Sequence, residues 1–347
     1  MAFGASNVII TKSKAIYSTT LRQKELYLLS EKKSLAEFVQ TLKSFPQFAE
    51  TLSNVPDHLI RRSQLEDILK KISYQQILKI VKYAEGPNQG FYFTNIMTLE
   101  INYLLKMFLY FVSQEEDKVR PVDDIPGFVL RHSSLPFREI ALSSDLQSFF
   151  EILKHTQYQS IIKPFVNEKP ETLRYNELEH AFYVYEFEFR FKQIKENFHG
   201  KEQKNLTMMY QTKLDLENLA KIYRLKKFYQ TDQKTIESVL FLKYSNIKKA
   251  FWDEILQIKD PENVLTHFHH SAFSKIKDQD EYVFIEFDID KIKYHLAKRY
   301  LYFSTSAAEV FAAFTILEEI EQINLTNILE GIRYSLGSEK IKRMLIC

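Results

Sequence analysis

AAFTILEEIEQINLTNILEGIRYSLGSEKIKRML, residues Ala312 to Leu345, sets the reading of the whole chain. Ile316, Leu317, Ile320, Ile323, Leu325, Ile328, Leu329 and Ile332 recur three and four residues apart. That spacing lays a wide apolar stripe along one side of a helix. Gly337 is expected to supply a left-handed cap at its end, and Ser338 to cap a short closing helix. Within the long helix lies Glu321-x-x-Asn324-Leu325-x-x-Ile328, and this pattern returns earlier in the chain.

Asp215-x-x-Asn218-Leu219-x-x-Ile222 matches it position by position, and LEINYLL (Leu99 to Leu105) is a fainter copy in which Asn102 takes the Asn place and Leu99 replaces the acid. The three asparagines are 116 and 106 residues apart. Solenoid units run roughly 20–50 residues, so this period fits copies of a whole small domain. Two further anchors keep the same order. Gln64-Leu65-Glu66, Glu177-Leu178-Glu179 and Phe284-Ile285-Glu286 precede the Asn positions, with Glu-to-Asn separations of 36, 39 and 38. Upstream again come LKSFPQF from Leu42, LKHTQYQ from Leu153 and FHHSAFS from Phe268. The pattern predicts three helical repeats, 1–125, 126–240 and 241–347.

Composition agrees with packed helices. The chain has 347 residues, 45% apolar, 27% charged and 14% aromatic, with a net charge of +2. Apolar content this high excludes a disordered chain. The charge balance gives no reason to expect nucleic acid, and Arg61-Arg62, Lys70-Lys71, Lys226-Lys227, Lys248-Lys249 and Lys340 to Arg343 are interleaved with acids or apolar residues, as on solvated helix faces. The single cysteine, Cys347, allows no internal disulfide and suits a reducing compartment. The start MAFGASNVIITKSK lacks the form of a signal peptide. No stretch approaches the about 20 apolar residues of a membrane span.

Only seven glycines are present, and neither G-x-G-x-x-G nor G-x-x-x-x-G-K-[ST] can be drawn from them. Loops that cradle phosphates need glycine for close backbone approach, so a Rossmann or P-loop site is not expected. His267, His269 and His270 lack metal-ligand spacing, and no G-x-S-x-G elbow exists. Asp123-Asp124 fall in a linker and Asp288 and Asp290 at a helix start, where acids favour the helix dipole. No catalytic residue, cofactor or metal is expected.

In order along the chain, Ala15 to Ser30, Ser34 to Phe45 (interrupted by Pro46), Gln64 to Ala84, Phe91 to Val112 and Glu177 to Phe198 read as helices. Lys118 to Phe137, with three prolines and one glycine, reads as a linker. The aromatics of Glu177 to Phe198 share their helix with five glutamates, which repel phosphate, so core packing is the better reading. Tyr282 to Phe287 has a strand's composition, but the repeat alignment makes it a helix start.

The closing segment, through Glu321, Asn324, Leu325, Ile328, Leu329, Gly331, Leu336, Ser338, Glu339 and Ile341, resembles the C-terminus of the C subunit of the rotary V/A-type ATPases, whose eukaryotic V-ATPase homologue is the d subunit. Asp215-x-x-Asn218-Leu219-x-x-Ile222-x-Arg224-x-Lys226 resembles the same family's middle repeat, and the helix ending Leu28-Leu29-Ser30 is also similar. The likeness covers nearly the whole chain. Departures are the missing acid of the first copy, and Ile332 and Tyr334 where basic or glycine residues are common. The resemblance implies an all-α fold of three similar helical bundles around a pseudo-threefold axis, forming a funnel. It implies a non-catalytic part of the central stalk on the cytoplasmic face of the membrane, peripheral to it, that rests on the proteolipid rotor ring and receives the foot of the central shaft, the D and F subunits. Under it Asp215, Asn218, Glu321 and Asn324 are candidates to line the cavity and bond the shaft; the plainer reading is that they satisfy buried helix ends where bundles meet. Arg224 and Lys226 are candidates to meet acidic loops of a partner. The competing classes are a helical adaptor with no rotary role and, disfavoured by the charge balance, an RNA-binding protein.

Overall fold

The computed structural model describes residues 2–53, 55–56, 60–113, 125, 127–269 and 285–347, with side chains omitted at 2, 3, 265 and 269. Among the described residues every regular element is an α-helix. In order these are α1 (Ala2–Ser18), α2 (Gln23–Ser30), α3 (Leu35–Leu42), α4 (Pro46–Leu52), α5 (Arg62–Val81), α6 (Gln89–Val112), α7 (Gly127–His132), α8 (Phe137–Leu142), α9 (Leu146–Leu153), α10 (Gln159–Ile162), α11 (Tyr175–Asn197), α12 (Gly200–Tyr229), α13 (Gln233–Ser238), α14 (Lys249–Gln257), α15 (Pro261–His269), α16 (Ile285–Phe303), α17 (Ala307–Arg333) and α18 (Ser338–Arg343). The chain forms two compact units, Met1–Ala84 with Lys204–Cys347, and Glu85–Gln203.

In the first unit, α16 and α17 make an antiparallel hairpin across residues 304–306, and α1 and α5 also pack on α17. The small residues Ala307, Ala308, Ala312 and Ala313 admit these neighbours, and α17 is buried without interruption from Ala307 to Glu318. Its later half changes role. Leu325, Ile328 and Leu329 share a core with Leu21, Leu26, Leu29, Phe38, Val39, Leu42, Phe48, Leu65 and Leu69, and with Ile341 and Leu345. The later half of α12 does the same: Leu219, Ile222 and Tyr223 pack with Ile236, Trp252, Ile255, Val264, Phe268, Ile285 and Ile289. Each long helix therefore donates its C-terminal half to a cluster of short helices.

In the second unit α6 pairs with α11. Phe108 near the end of α6 packs at tilted angles against Phe149, Phe150 and Phe182, and Tyr158 packs on Phe182. The aromatics Phe182 and Phe191 of α11 are core residues.

Positions that the sequence pattern aligns share their burial. Leu65, Leu178 and Ile285 are all fully buried, and so are Leu69, Phe182 and Ile289 four residues on. The third anchor needs correction. Phe38-Val39-x-x-Leu42 and Phe149-Phe150-x-x-Leu153 are buried at the ends of α3 and α9, whose C-caps Lys43 and Lys154 share φ −58° and ψ −21°. The run that matches them is Phe251-Trp252-x-x-Ile255 in α14, one helix before Phe268 of α15; residues 270–274 of the segment at Phe268 lie outside the described residues.

Three local expectations also change. Ala15 to Ser30 is two helices: Ser18, Thr19 and Thr20 hydroxyls turn back to the carbonyls of Ala15, Ile16 and Tyr17, and Glu25 accepts from the Arg22 amide to start α2. The left-handed residue after α17 is Ser335 (φ 52°), whereas Gly337 is extended (φ −65°, ψ 148°) and caps the start of α18. Gly331 is needed for another reason: a Cβ there would lie 2.5 Å from Cγ1 of Ile341. Of the strand-like stretch 282–287, residues 285–287 begin α16 and 282–284 lie outside the described residues. The linker contains α7, and its 118–124 and 126 also lie outside them.

Candidate functional site

The sequence candidates fall on the long helices at the level where each enters its cluster of short helices. Asn218 is 1% exposed. Its Oδ1 accepts the Phe241 amide at 3.2 Å, and its Nδ2 donates to the Phe241 carbonyl at 3.0 Å. Asn324, 2% exposed, repeats this on Ile346, with both bonds 2.8 Å long. Each amide thus substitutes for a strand partner, satisfying both backbone groups of one buried residue. Asn327 adds a bond from Nδ2 to the Met344 carbonyl, 3.0 Å.

One turn earlier sits the acid. Glu321 accepts the Leu21 amide at 2.7 Å and Gln47 Nε2 at 3.0 Å. Asp215 accepts the Asn246 amide at 3.0 Å through Oδ2, while its Oδ1 is buried without a hydrogen bond. Burial pushes Asp215 up to about 6, against the pull of the Ser245 hydroxyl and Asn246 amide. The acid in each copy fastens the connector that enters the short helices.

A buried acid also stands on α6, one residue after Leu99. Glu100, 2% exposed, accepts from Ser133, from Gln157 Nε2 at 2.9 Å and from the Tyr158 hydroxyl. Aligning Glu100 with Glu321 and Asp215 puts Leu104 with Leu325 and Leu219, and Met107 with Ile328 and Ile222, all fully buried. Asn102 is only partly buried and stands one residue out of register. Tyr103 takes the amide's place. Gln157 then answers to Gln47, each donating to the acid of its own cluster.

Arg224 is exposed, 3.7 Å from Glu286. Lys226 Nζ donates to the Leu256 and Ile258 carbonyls at 2.8 and 2.7 Å, closing the end of α14, and burial lowers its pKa. These two lysine bonds border an open cavity of about 500 Å³ lined by Lys226, Lys227, Gln230, Asp232, Lys259 and Pro261. The structure therefore separates the six candidates: four are buried and internally bonded, one anchors a helix end, and Arg224 alone of them is broadly open to solvent.

A feature the sequence pattern did not point to lies at the ends of α12 and α17. Tyr229 and Tyr334 are 71% and 64% exposed, and each directly precedes a left-handed non-glycine residue, Gln230 (φ 49°) or Ser335 (φ 52°). Phe228 is also exposed. The turns place these aromatics outward; the signal available beforehand was an aromatic beyond the last apolar position of the stripe.

Among the described residues no group of three His, Cys, Asp or Glu side chains is gathered as metal ligands. His267 lies 3.5 Å from Glu254 and packs on Phe251; the side chain of His269 and all of His270 lie outside the described residues. No described helix is long and apolar enough to cross a membrane.

No curated protein matches the chain. A family model described as "ATP synthase (C/AC39) subunit" matches residues 9–344. That match runs through all three acid positions and both clamping asparagines, and it establishes that the chain belongs to the ATP synthase (C/AC39) subunit family of the V/A-type ATPases.

Proposed function

We propose that the chain is a non-catalytic part of the central stalk of a rotary V/A-type ATPase. It would act as a socket on the cytoplasmic face of the membrane, holding the central shaft of the D and F subunits and resting on the proteolipid rotor ring for ATP-linked proton or sodium transport. The observation that carries this reading is the family match over residues 9–344. The three-repeat organisation belongs to the same proposal, with one acid-anchored cluster of short helices per repeat. A torque-bearing part must be stiff. Amide clamps on Phe241 and Ile346, and carboxylates that fasten connectors, give stiffness by tying long-helix side chains to distant backbone across the core. In this reading Asp215, Asn218, Glu321 and Asn324 serve partner binding by holding the framework, and Arg224 and Lys226 stand nearest to a partner surface.

The test is a pull-down of the chain with the shaft proteins and the detergent-solubilised ring of the same complex. Binding to both, with no ATPase activity from the chain alone, supports the socket. Binding to neither, with every protein folded, overturns it in favour of a helical adaptor with no rotary role.

A further inference from the structure

Glu318 lies one turn before Glu321 on the buried face of α17 and is 1% exposed. Its Oε2 accepts the Ser73 hydroxyl of α5 at 3.3 Å, and its Oε1 is buried with no hydrogen bond. Among the described residues no salt bridge reaches it, although cations stand on the neighbouring helices. On α5, Lys79 acts on Glu318 only at a distance and is bonded to Gln76 Oε1 at 3.0 Å. On α1, Lys12 lies over the Tyr83 ring and Lys14 donates to the Tyr302 carbonyl. On α16, Lys293 pairs with Asp290 at 2.6 Å, and Lys298 bonds Tyr294. Before α2, its N-cap Arg22 acts on Glu321 and covers the Tyr17 ring. On α18, Lys342 pairs with Glu31 and Glu339. On its own helix Glu321, one turn on, repels it, while the adjacent Glu319 is exposed and pairs with Lys213 at 2.6 Å.

We propose that Glu318 is a proton-binding acid at the α5–α17 contact, which ties the packing of these helices to pH. Protonated, it is a neutral acid that completes an apolar seam. Deprotonated, it is an uncompensated charge one turn from a second carboxylate, and the seam loosens. Burial first and Glu321 second raise its affinity for the proton well above an ordinary glutamate's, while the Ser73 hydroxyl and Lys79 oppose them. A group that holds its proton more tightly when folded stabilises the fold below its unfolded pKa. That stability is lost as pH rises through the folded pKa. Acid therefore tightens this junction and alkali loosens it. This inference is independent of the rotary role.

The experiment is urea unfolding of the full chain, wild type and Glu318→Gln, from pH 5 to pH 9. Glutamine keeps the shape and a hydrogen-bonding amide but binds no proton. One linked proton makes the ratio of the two unfolding constants change tenfold per pH unit across the titration, with wild type losing stability as pH rises. Parallel curves for the two proteins would overturn the proposal. Ser73→Ala is the second variant, because it removes a group that favours the charged form. It is expected to shift the pH at which wild-type stability is lost upward; an unchanged or lower midpoint would also overturn the proposal.

Discussion

Asn218 and Asn324 each satisfy the amide and the carbonyl of one buried residue, so truncation leaves two polar backbone groups without partners. Each unpaired buried group costs about 1–3 kcal/mol. Asn218→Ala and Asn324→Ala are each expected to lose on the order of 2–4 kcal/mol in urea unfolding on that basis. A loss no larger than that of an exposed surface substitution would show that Phe241 and Ile346 are held by their side chains alone. The same residues explain why a letter match misled at the first copy. Asn102 has the right identity in the wrong register, and the buried acid Glu100 one residue after Leu99 carries the equivalent duty through Gln157 and Tyr158. A motif of four letters does not reveal which residue faces inward; the apolar positions Leu104 and Met107 do.

At the scale of elements, the short helices depend on their caps more than the long ones, because few turns share the cost of starting. Ser34 begins α3 by accepting the Glu37 amide, and Asp145 begins α9 by accepting that of Ser148. Ser34→Ala is expected to cost about 1 kcal/mol, read from the urea midpoint at constant slope. The Ser148 amide, then the Ser144 hydroxyl, hold Asp145 below the usual carboxylate range. Its capping contribution is therefore present above that range and fades as pH falls, and Asp145→Ala should differ from wild type at neutral pH more than at pH 2. The long helices were legible from their three- and four-residue periodicity, and so was the Ser34 cap. The break near Thr20 was not. The Ser18, Thr19 and Thr20 hydroxyls end α1 locally, and Glu321, three hundred residues away, takes the Leu21 amide within the break. The choice of Ser335 over Gly337 for the left-handed turn is made at the helix end itself: the Leu336 amide bonds the Gly331 carbonyl at 2.8 Å, and Gly331 admits Ile341 ten residues on.

For the molecule, the acids and amides were visible as a recurring pattern, but their duty was not, since their partners lie 22 to 300 residues away. Met344, Leu345 and Ile346 illustrate this. Two of them receive amide bonds, and Leu345 joins the core built by α2 to α5. Ending the chain after Arg343 removes these contacts and exposes Asn324. Hydrogen exchange is expected to accelerate in α2, α3 and α5 as well as in α17, and protection unchanged in α2 to α5 would show their core to be self-sufficient.

The core shared by residues 21–72 and 325–345 has a consequence for biosynthesis. Helices α2 to α5 leave the ribosome about 250 residues before the half of α17 that covers them is made. At synthesis rates of about 5–20 residues per second, their apolar faces wait for tens of seconds. The segment translated early is completed late, and a chaperone has that interval in which to act.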